Sequence, residues 1–317
     1  MVRHSSRLPP AALLIAACAL WGAATVLSKA LLASIPPVTL LVLQLAPSAL
    51  ALWIVAAAAA RPIPARAHLV PLALLGILNP GISYTLSLMG VARIPAGVST
   101  VLWAAEPLMI LGLAALVLGE AITWRLLLTM LIGAVGVGFV ADLGGALGDL
   151  GGDAAGTLLL LGAVLCCAFY TVFSRKLGEF VDPSVTVAIQ QTAGLAWALA
   201  LLSAGTQYGS PADIAALPPG LLAAAAVSGL LYYAAAYWLY ITALKSVPAA
   251  IAGSYFNIIP IFGVGLAYVF LGETLTLLQG LGAAAILISG YMLVRLTSGA
   301  GEETRVAADV TLTRKIE

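Results

Sequence analysis

The sequence predicts an all-α integral membrane protein whose ten transmembrane helices form two inverted five-helix repeats, with both termini in the cytoplasm. Three observations predict this fold: a very apolar composition, ten apolar runs of membrane length, and an internal duplication at a fixed offset. Hydrophobic residues make up 62% of the 317-residue chain, charged residues make up 9%, and the mean hydropathy is +1.10. A soluble domain carries about 25% charged residues, so the chain is predicted to lie in a lipid bilayer.

The apolar runs supply the predicted helices in order along the chain. A helix needs about 20 apolar residues to cross about 30 Å of hydrocarbon, because every backbone N–H and C=O must be hydrogen-bonded within it. Charged residues or turn residues separate each run from the next. The predicted spans are residues 11–33, 38–60, 69–90, 95–118, 124–141, 156–177, 184–204, 219–243, 248–271 and 277–296.

Basic residues predict the orientation, because Lys and Arg collect in cytoplasmic loops. With the N-terminus inside, twelve of the fourteen basic residues fall on the cytoplasmic side, and only Lys29 and Arg93 fall outside. We expect a multi-pass protein of a bacterial-type inner (plasma) membrane. The predicted units are a first repeat at 1–141, an extracellular or periplasmic connecting loop at 142–155, a second inverted repeat at 156–296 and a cytoplasmic polar tail at 297–317.

An internal duplication relates the two halves of the chain. The stretches VLGEA and FLGET place Glu120 and Glu273 at positions that differ by 153. Because each repeat contains five helices, an odd number, the second repeat enters the membrane from the opposite face. Further pairs at offset 153 are Gly76 and Gly229, Tyr84 and Tyr237, Pro95 and Pro248, and Pro107 and Pro260, while TVLSK and TVFSR, and Gln44 and Gln190, match at offset 146.

The composition and motifs exclude several functions. A net charge of +1 leaves no basic surface for nucleic acid, and no Gly-rich loop with Lys and Ser/Thr is present to hold nucleotide phosphates. Both histidines, His4 and His68, lie outside the predicted core, and no paired acids or metal-ligand cluster accompany them. We therefore expect no enzyme activity, no cofactor or metal, and no nucleic-acid partner, and any transport must draw on gradients across the membrane.

The C-terminal segment of each predicted repeat resembles the corresponding segment of a known protein family. The segments LGEAITWRLLLTMLIGAVGVGFV and LGETLTLLQGLGAAAILISGYML, with the proline pairs in the preceding helices, are similar to the EamA-type members of the drug/metabolite transporter superfamily. The resemblance covers residues 11–296. It implies a ten-helix, two-repeat carrier that moves small metabolites, often out of the cell. It leaves the substrate open, since members handle amino acids, drugs and nucleotide-linked sugars.

Glu106 is the acidic residue nearest the centre of a predicted span, the helix at 95–118. A carboxylate at this depth costs at least a few kcal/mol, so it should face the bundle interior, pair with a donor or be protonated. Two interpretations remain open. One is a site for proton coupling or a substrate amine; the other is a structural residue beside Pro107, which kinks the helix. Ser99 and Trp103 share the helix face of Glu106.

Aromatic and amide side chains gather at the middle of the predicted spans, whereas Tyr and Trp normally lie at membrane interfaces. Buried Tyr and Trp need polar partners, and a central cavity shared with an amphipathic solute would provide them. Packing in the core is the alternative for any single ring. The predicted substrate-binding residues are Trp21, Asn79, Tyr84, Ser99, Trp103, Glu106, Tyr170, Tyr237, Tyr255 and Asn257, and the predicted hinge or structural residues are Pro80, Pro107, Pro260, Glu120 and Glu273.

Glu120 and Glu273 each follow the C-terminal end of a predicted helix, where the helix dipole disfavours an anion. We expect backbone N–H groups at the start of the following helix to compensate, with Thr123 and Thr276 as N-caps. A structural role that joins consecutive helices is therefore favoured over direct substrate contact.

These observations predict a secondary transporter, and an exporter, of small amphipathic metabolites. Our first choice is apolar or aromatic amino acids, with Glu106 opposite the ammonium group and Lys29 opposite the carboxylate, although Lys29 can instead snorkel to the interface. The alternative is a multidrug or organic-cation efflux carrier, and a channel is less favoured. The expected partners are the substrate and the bilayer, with protons as a candidate coupling ion. Monomer and homodimer remain open, because the ridge of Gly133, Gly136 and Gly138 can pack within the bundle or against a second copy.

Overall fold

The computed structural model describes residues 8–91, 93, 102–140, 154–178, 181–262, 265–266 and 276–313. The described residues form helices joined by short turns and include no β-strand. The helices are α1 (Pro10–Leu31), α2 (Pro37–Ala58), α3 (Arg66–Gly76), α4 (Ser83–Val91), α5 (Glu106–Leu118), α6 (Trp124–Val140), α7 (Ala154–Leu177), α8 (Pro183–Ser203), α9 (Pro211–Ala216), α10 (Pro219–Gly229), α11 (Tyr237–Leu244), α12 (Ala249–Ser254) and α13 (Leu277–Thr313).

The helices have the length and composition of a multi-pass membrane protein. Within the described residues, six helical segments are long and apolar enough to cross a bilayer, and each carries at least 19 residues. Four shorter apolar helices accompany them: Glu106–Leu118, Trp124–Phe139, Ala249–Phe262 and Gly280–Leu296. The last helix, α13, continues beyond residue 296 to Thr313. The long segments are Pro10–Ser28, Pro37–Ala58, Arg66–Ser87, Ala154–Leu177, Pro183–Ser203 and Pro219–Leu244.

Proline and glycine mark where several helices begin and end. Pro10, Pro37, Pro183 and Pro219 each occupy the first position of a helix. Proline is favoured there because the first N–H groups of a helix have no intrahelical acceptor. Gly119 ends α5 with a φ of 68°, a left-handed conformation that glycine adopts without a steric penalty.

The third predicted span of each half is interrupted by a π-helical segment. The segment Ile77–Ile82 joins α3 to α4, and the segment Leu230–Ala236 joins α10 to α11. Their first residues differ by 153, the offset of the duplication. In the first segment Asn79 leaves the helical region, with φ −146° and ψ 119°, because Pro80 restricts the residue before it to extended backbone.

A second pair of interruptions also falls at related positions. Residues 104–105 form a turn immediately before α5, and Tyr255–Ile258 forms a 3-10 segment after α12. At the offset of 153, residues 104–105 correspond to 257–258. Both interruptions precede a proline, Pro107 or Pro260, which cannot donate a backbone hydrogen bond to the preceding turn.

Two close helix contacts, related by the same duplication, hold the halves together. A Cβ added at Gly229 would lie 2.5 Å from the Cα of Gln44, and one added at Gly76 would lie 2.6 Å from the Cα of Gln190. Real Cβ atoms do not approach backbone this closely. The helices can therefore cross at these points only because glycine has no side chain.

Glutamine side chains add hydrogen bonds beside each crossing. The Gln44 side-chain amide donates to the hydroxyls of Ser28 at 2.9 Å and Ser228 at 2.7 Å. The Gln190 amide donates to the Ser174 hydroxyl at 3.0 Å. Both glutamines are buried, so these bonds satisfy amide donors that would otherwise be costly to bury.

The glycine ridge of α6 packs within the bundle. A Cβ at Gly136 would lie 2.8 Å from the carbonyl oxygen of Gly282, and one at Gly133 would lie 2.8 Å from the hydroxyl oxygen of Ser289. The Ser289 hydroxyl donates to the carbonyl oxygen of Thr129 at 2.9 Å. Gly133 and Gly136 therefore bring α6 against α13 rather than against a second copy of the chain.

Candidate substrate cavity

A cavity of about 570 Å³ lies between the two halves, and both halves line it. The interrupted segments supply part of its wall: Asn79 and Tyr232 come from the two π segments, Ala104 from the turn before α5, and Asn257 from the 3-10 segment. Glu106, the first residue of α5, follows the turn. This volume falls within the range that encloses a small organic molecule.

Aromatic rings around Trp21 form one side of the cavity. The Trp21 ring lies edge to face with Tyr237, Tyr240 and Phe256, at centroid distances of 5.2, 5.4 and 5.5 Å. Tyr170 lies edge to face with Tyr237 at 5.8 Å. Edge-to-face pairs fix ring orientation, so this side offers a rigid apolar surface.

Tyrosine hydroxyls and an asparagine form a hydrogen-bonded group beside these rings. The Tyr84 hydroxyl donates to the Tyr232 hydroxyl at 2.7 Å and lies 3.4 Å from the Tyr237 hydroxyl. The Asn79 side-chain amide donates to the Tyr237 hydroxyl at 3.3 Å, and the Ser83 hydroxyl donates to the side-chain Oδ1 of Asn79 at 2.7 Å. These polar atoms satisfy one another across the two halves.

Glu106 is the acidic residue in the described wall of the cavity, and it is 8% exposed. Among the described residues, no side chain forms an ion pair or a hydrogen bond with its carboxylate. The described lining also contains no Lys, Arg or His. The described wall therefore combines aromatic surface with one acidic group that has no partner among the described residues.

Glu120 joins the two halves away from the cavity. Its carboxylate accepts the backbone N–H groups of Ala249 at 2.7 Å and Ala250 at 3.0 Å. These are the first N–H groups of α12, which have no intrahelical acceptor, and an anion is favourable at that helix end.

The sequence-based partner for Glu120 was wrong, since we expected the start of the next helix in the chain. The carboxylate binds α12 of the other half because α12 begins beside the end of α5 in space. The expected cap of α6 is confirmed: the Thr123 hydroxyl accepts the Leu126 N–H at 3.2 Å. Glu273, the repeat partner of Glu120, lies outside the described residues.

Comparison with known proteins identifies the family. The profile of the EamA-like transporter family matches the chain twice, at residues 8–141 and 154–295. The chain belongs to the EamA-like transporter family.

Similar proteins have transporter names. The chain is 28% identical over 286 residues to the uncharacterized transporter YvbV of Bacillus subtilis, a match that covers 89% of this chain and 90% of that protein. It is 25% identical over 238 residues to an uncharacterized transporter of Clostridium kluyveri, covering 74% and 75% of the two chains. A solved crystal structure shares the fold with a TM-score of 0.76 and 16% identity, over 91% of this chain and 97% of that one.

The structure of this family member brings most of the predicted site residues to one cavity. Tyr255 is an exception: its side chain is 0% exposed and does not line the cavity, because the 3-10 segment directs Phe256 and Asn257 there instead. Ser99 lies outside the described residues. Those that line the cavity are Trp21, Asn79, Tyr84, Trp103, Glu106, Tyr170, Tyr237, Asn257 and Pro260.

Sequence reasoning left out several lining residues that the duplication could have found. Tyr232 is the offset-153 partner of Asn79, and Tyr240 is the partner of Ser87, which also lines the cavity. At offset 146, Cys167 is the partner of Trp21. Applying the two offsets to the candidates Asn79 and Trp21 would have added Tyr232 and Cys167, whereas Tyr240 corresponds to Ser87, which was not a candidate.

Proposed function

We propose that this EamA-like protein is a secondary transporter that carries small amphipathic solutes by alternating access through the central cavity. The observation that carries the proposal is the pairing of helix interruptions: the break before α5 and the 3-10 segment after α12 correspond in the two repeats and both line the cavity. Discontinuous helices at corresponding positions of two repeats are typical of transporter substrate sites.

The proposed topology is ten transmembrane helices in two inverted five-helix repeats, with both termini in the cytoplasm of a bacterial-type inner membrane. Six long and four shorter apolar helices in the described part of the chain support the count. The twofold family match and the excess of basic residues on one side support the inversion and the orientation. Export is proposed on the family resemblance alone, with protons as a candidate coupling ion.

The aromatic wall supports a substrate with an apolar body. Trp21, Tyr237 and Phe256 present rigid ring surface to a cavity of about 570 Å³. Apolar amino acids and organic cations, the two candidate substrate classes, both contain such a body. They differ in whether a carboxylate accompanies the ammonium group.

Cys167 provides a natural reporter for alternating access, because it lines the cavity and is otherwise buried. Replacing Cys18 and Cys166 with Ala leaves Cys167 as the single thiol. We expect a membrane-impermeant thiol reagent to label Cys167 from either face, in right-side-out and in inverted vesicles. A variant with all three cysteines replaced gives the background.

Two results would contradict the proposal. Labelling from one face only, under all conditions, would exclude access from both sides. Flux through proteoliposomes that neither saturates nor accelerates with solute on the opposite side would indicate a channel instead of a carrier.

A further inference from the structure

The cavity contains a buried carboxyl group that has no partner among the described residues. Glu106 is 8% exposed, and among the described residues its carboxylate has no hydrogen-bond or ion-pair partner. A buried carboxylate without a partner is costly, most of all at membrane depth. A cationic guest in the cavity would supply the missing partner.

Tyr240 carries a second buried polar group, and no hydrogen bond to a described residue satisfies it. Its side chain is 1% exposed and lines the cavity, and its hydroxyl forms no hydrogen bond among the described residues. By contrast, the hydroxyls of Tyr84, Tyr232 and Tyr237 all lie within hydrogen-bonding distance of one another or of Asn79. The oxygen is itself buried in this structure, so a guest N–H reaches it only if the Tyr240 side chain turns toward the cavity.

The aromatic rings suit a cation as well as an apolar body. Tyr240 lies 5.4 Å from Trp21 and 5.1 Å from Phe256, between ring centroids. The faces of Trp and Tyr attract ammonium groups through their quadrupoles, most strongly where water is excluded. The aromatic rings and the Glu106 carboxylate thus both favour a positively charged guest.

A guest carboxylate finds no matching charge in the described lining. No Lys, Arg or His contributes to that part of the wall, so a zwitterion or an anion would lose hydration of its carboxylate without a cationic partner. Lys29 follows Trp21 by eight residues on α1, which places its backbone about 12 Å further along the helix axis at 1.5 Å per residue.

We propose that the cavity binds organic monocations, with an ammonium group at Glu106 and Tyr240 and an apolar body against the aromatic rings, and discriminates against zwitterions and anions. This inference rests on the proposed transport function and names the substrate class of the same cavity. It replaces amino acids, our first choice from the sequence, with the organic-cation alternative.

Three probes with the same phenyl body isolate the effect of charge: phenethylammonium, phenylalanine and 3-phenylpropionate. We expect phenethylammonium to bind the purified full-length protein in nanodiscs at least about tenfold more tightly than phenylalanine, because only the zwitterion buries a carboxylate. Isothermal titration calorimetry measures each Kd. We expect 3-phenylpropionate to give no measurable binding.

Variants at Glu106 test the proposed contact. Glu106→Gln should weaken phenethylammonium binding by about tenfold or more, while Glu106→Asp should retain the preference for the cation over phenylalanine. Unchanged thermal unfolding would show that the variants are folded, and the Glu106→Asp variant keeps the test valid if the Gln variant unfolds.

Tyr240→Phe tests the hydroxyl separately. It should weaken phenethylammonium binding severalfold but leave trimethyl(phenethyl)ammonium binding unchanged, because the quaternary cation has no N–H to donate to the hydroxyl. An equal loss for both cations would remove Tyr240 from the proposal.

The substrate class and the transport function can fail independently. Phenylalanine binding as tightly as phenethylammonium, no binding of either cation at millimolar concentration, or a Glu106→Gln variant with an unchanged Kd would overturn the inference. Labelling of Cys167 from both faces needs no substrate, so it decides the proposed function whichever probe binds.

Discussion

Gly229→Ala should destabilise the protein through a backbone clash. The new Cβ would lie 2.5 Å from the Cα of Gln44, and α10 would have to move away from α2 by about an ångström to relieve the contact. Such overpacking costs about 1–3 kcal/mol. The same movement stretches the 2.7 Å hydrogen bond from Gln44 to Ser228, whose loss adds about 1 kcal/mol.

The expected loss is therefore roughly 2–4 kcal/mol of unfolding free energy. This loss should lower the midpoint of thermal unfolding of the purified protein in detergent, which is monitored by intrinsic fluorescence. Gly220→Ala is the matched control, since Gly220 lies on the same helix and a Cβ there has no heavy atom within 4 Å. A Gly229→Ala variant that unfolds at the wild-type temperature would refute the reasoning.

Three further changes have expected outcomes. Gly76→Ala should lower the unfolding midpoint as Gly229→Ala does, because its Cβ would lie 2.6 Å from the Cα of Gln190; a much smaller shift would mean that the two crossings are not equivalent. Glu120→Gln should reduce folded yield in size-exclusion chromatography, since loss of the charge and one of two hydrogen bonds to α12 costs about 1–2 kcal/mol; normal yield with abolished transport would count against a structural role. Trp103→Ala, which opens the cavity wall, should slow liposome uptake of large substrates more than of small ones, and equal losses would argue against stacking on this ring.

The sequence predicted the helical membrane fold, and eight of the ten predicted substrate-binding residues line the cavity. Strongly polar residues and tyrosines are uncommon at the middle of membrane helices, so Asn79, Tyr84 and Glu106 could be recognised from their depth alone. The duplication added the relation between the halves, because the same residue types return at fixed offsets.

The remaining features depend on contacts that no local pattern encodes. Glu120 binds Ala249 and Ala250, which follow it in the sequence by 129 and 130 residues. Only the packing of α12 beside α5 brings these residues together. Tyr255 was placed in the cavity because of its depth in the predicted span 248–271. The 3-10 segment changes the side-chain directions there, and Tyr255 enters the core.

The bond between Glu120 and α12 has a mechanical consequence. It fixes the far end of α5 to the beginning of α12, and each of these helices has its interruption on the cavity side. When α5 tilts, the bond pulls the start of α12 in the same direction. The two helices are therefore coupled at this end for as long as the carboxylate stays bound.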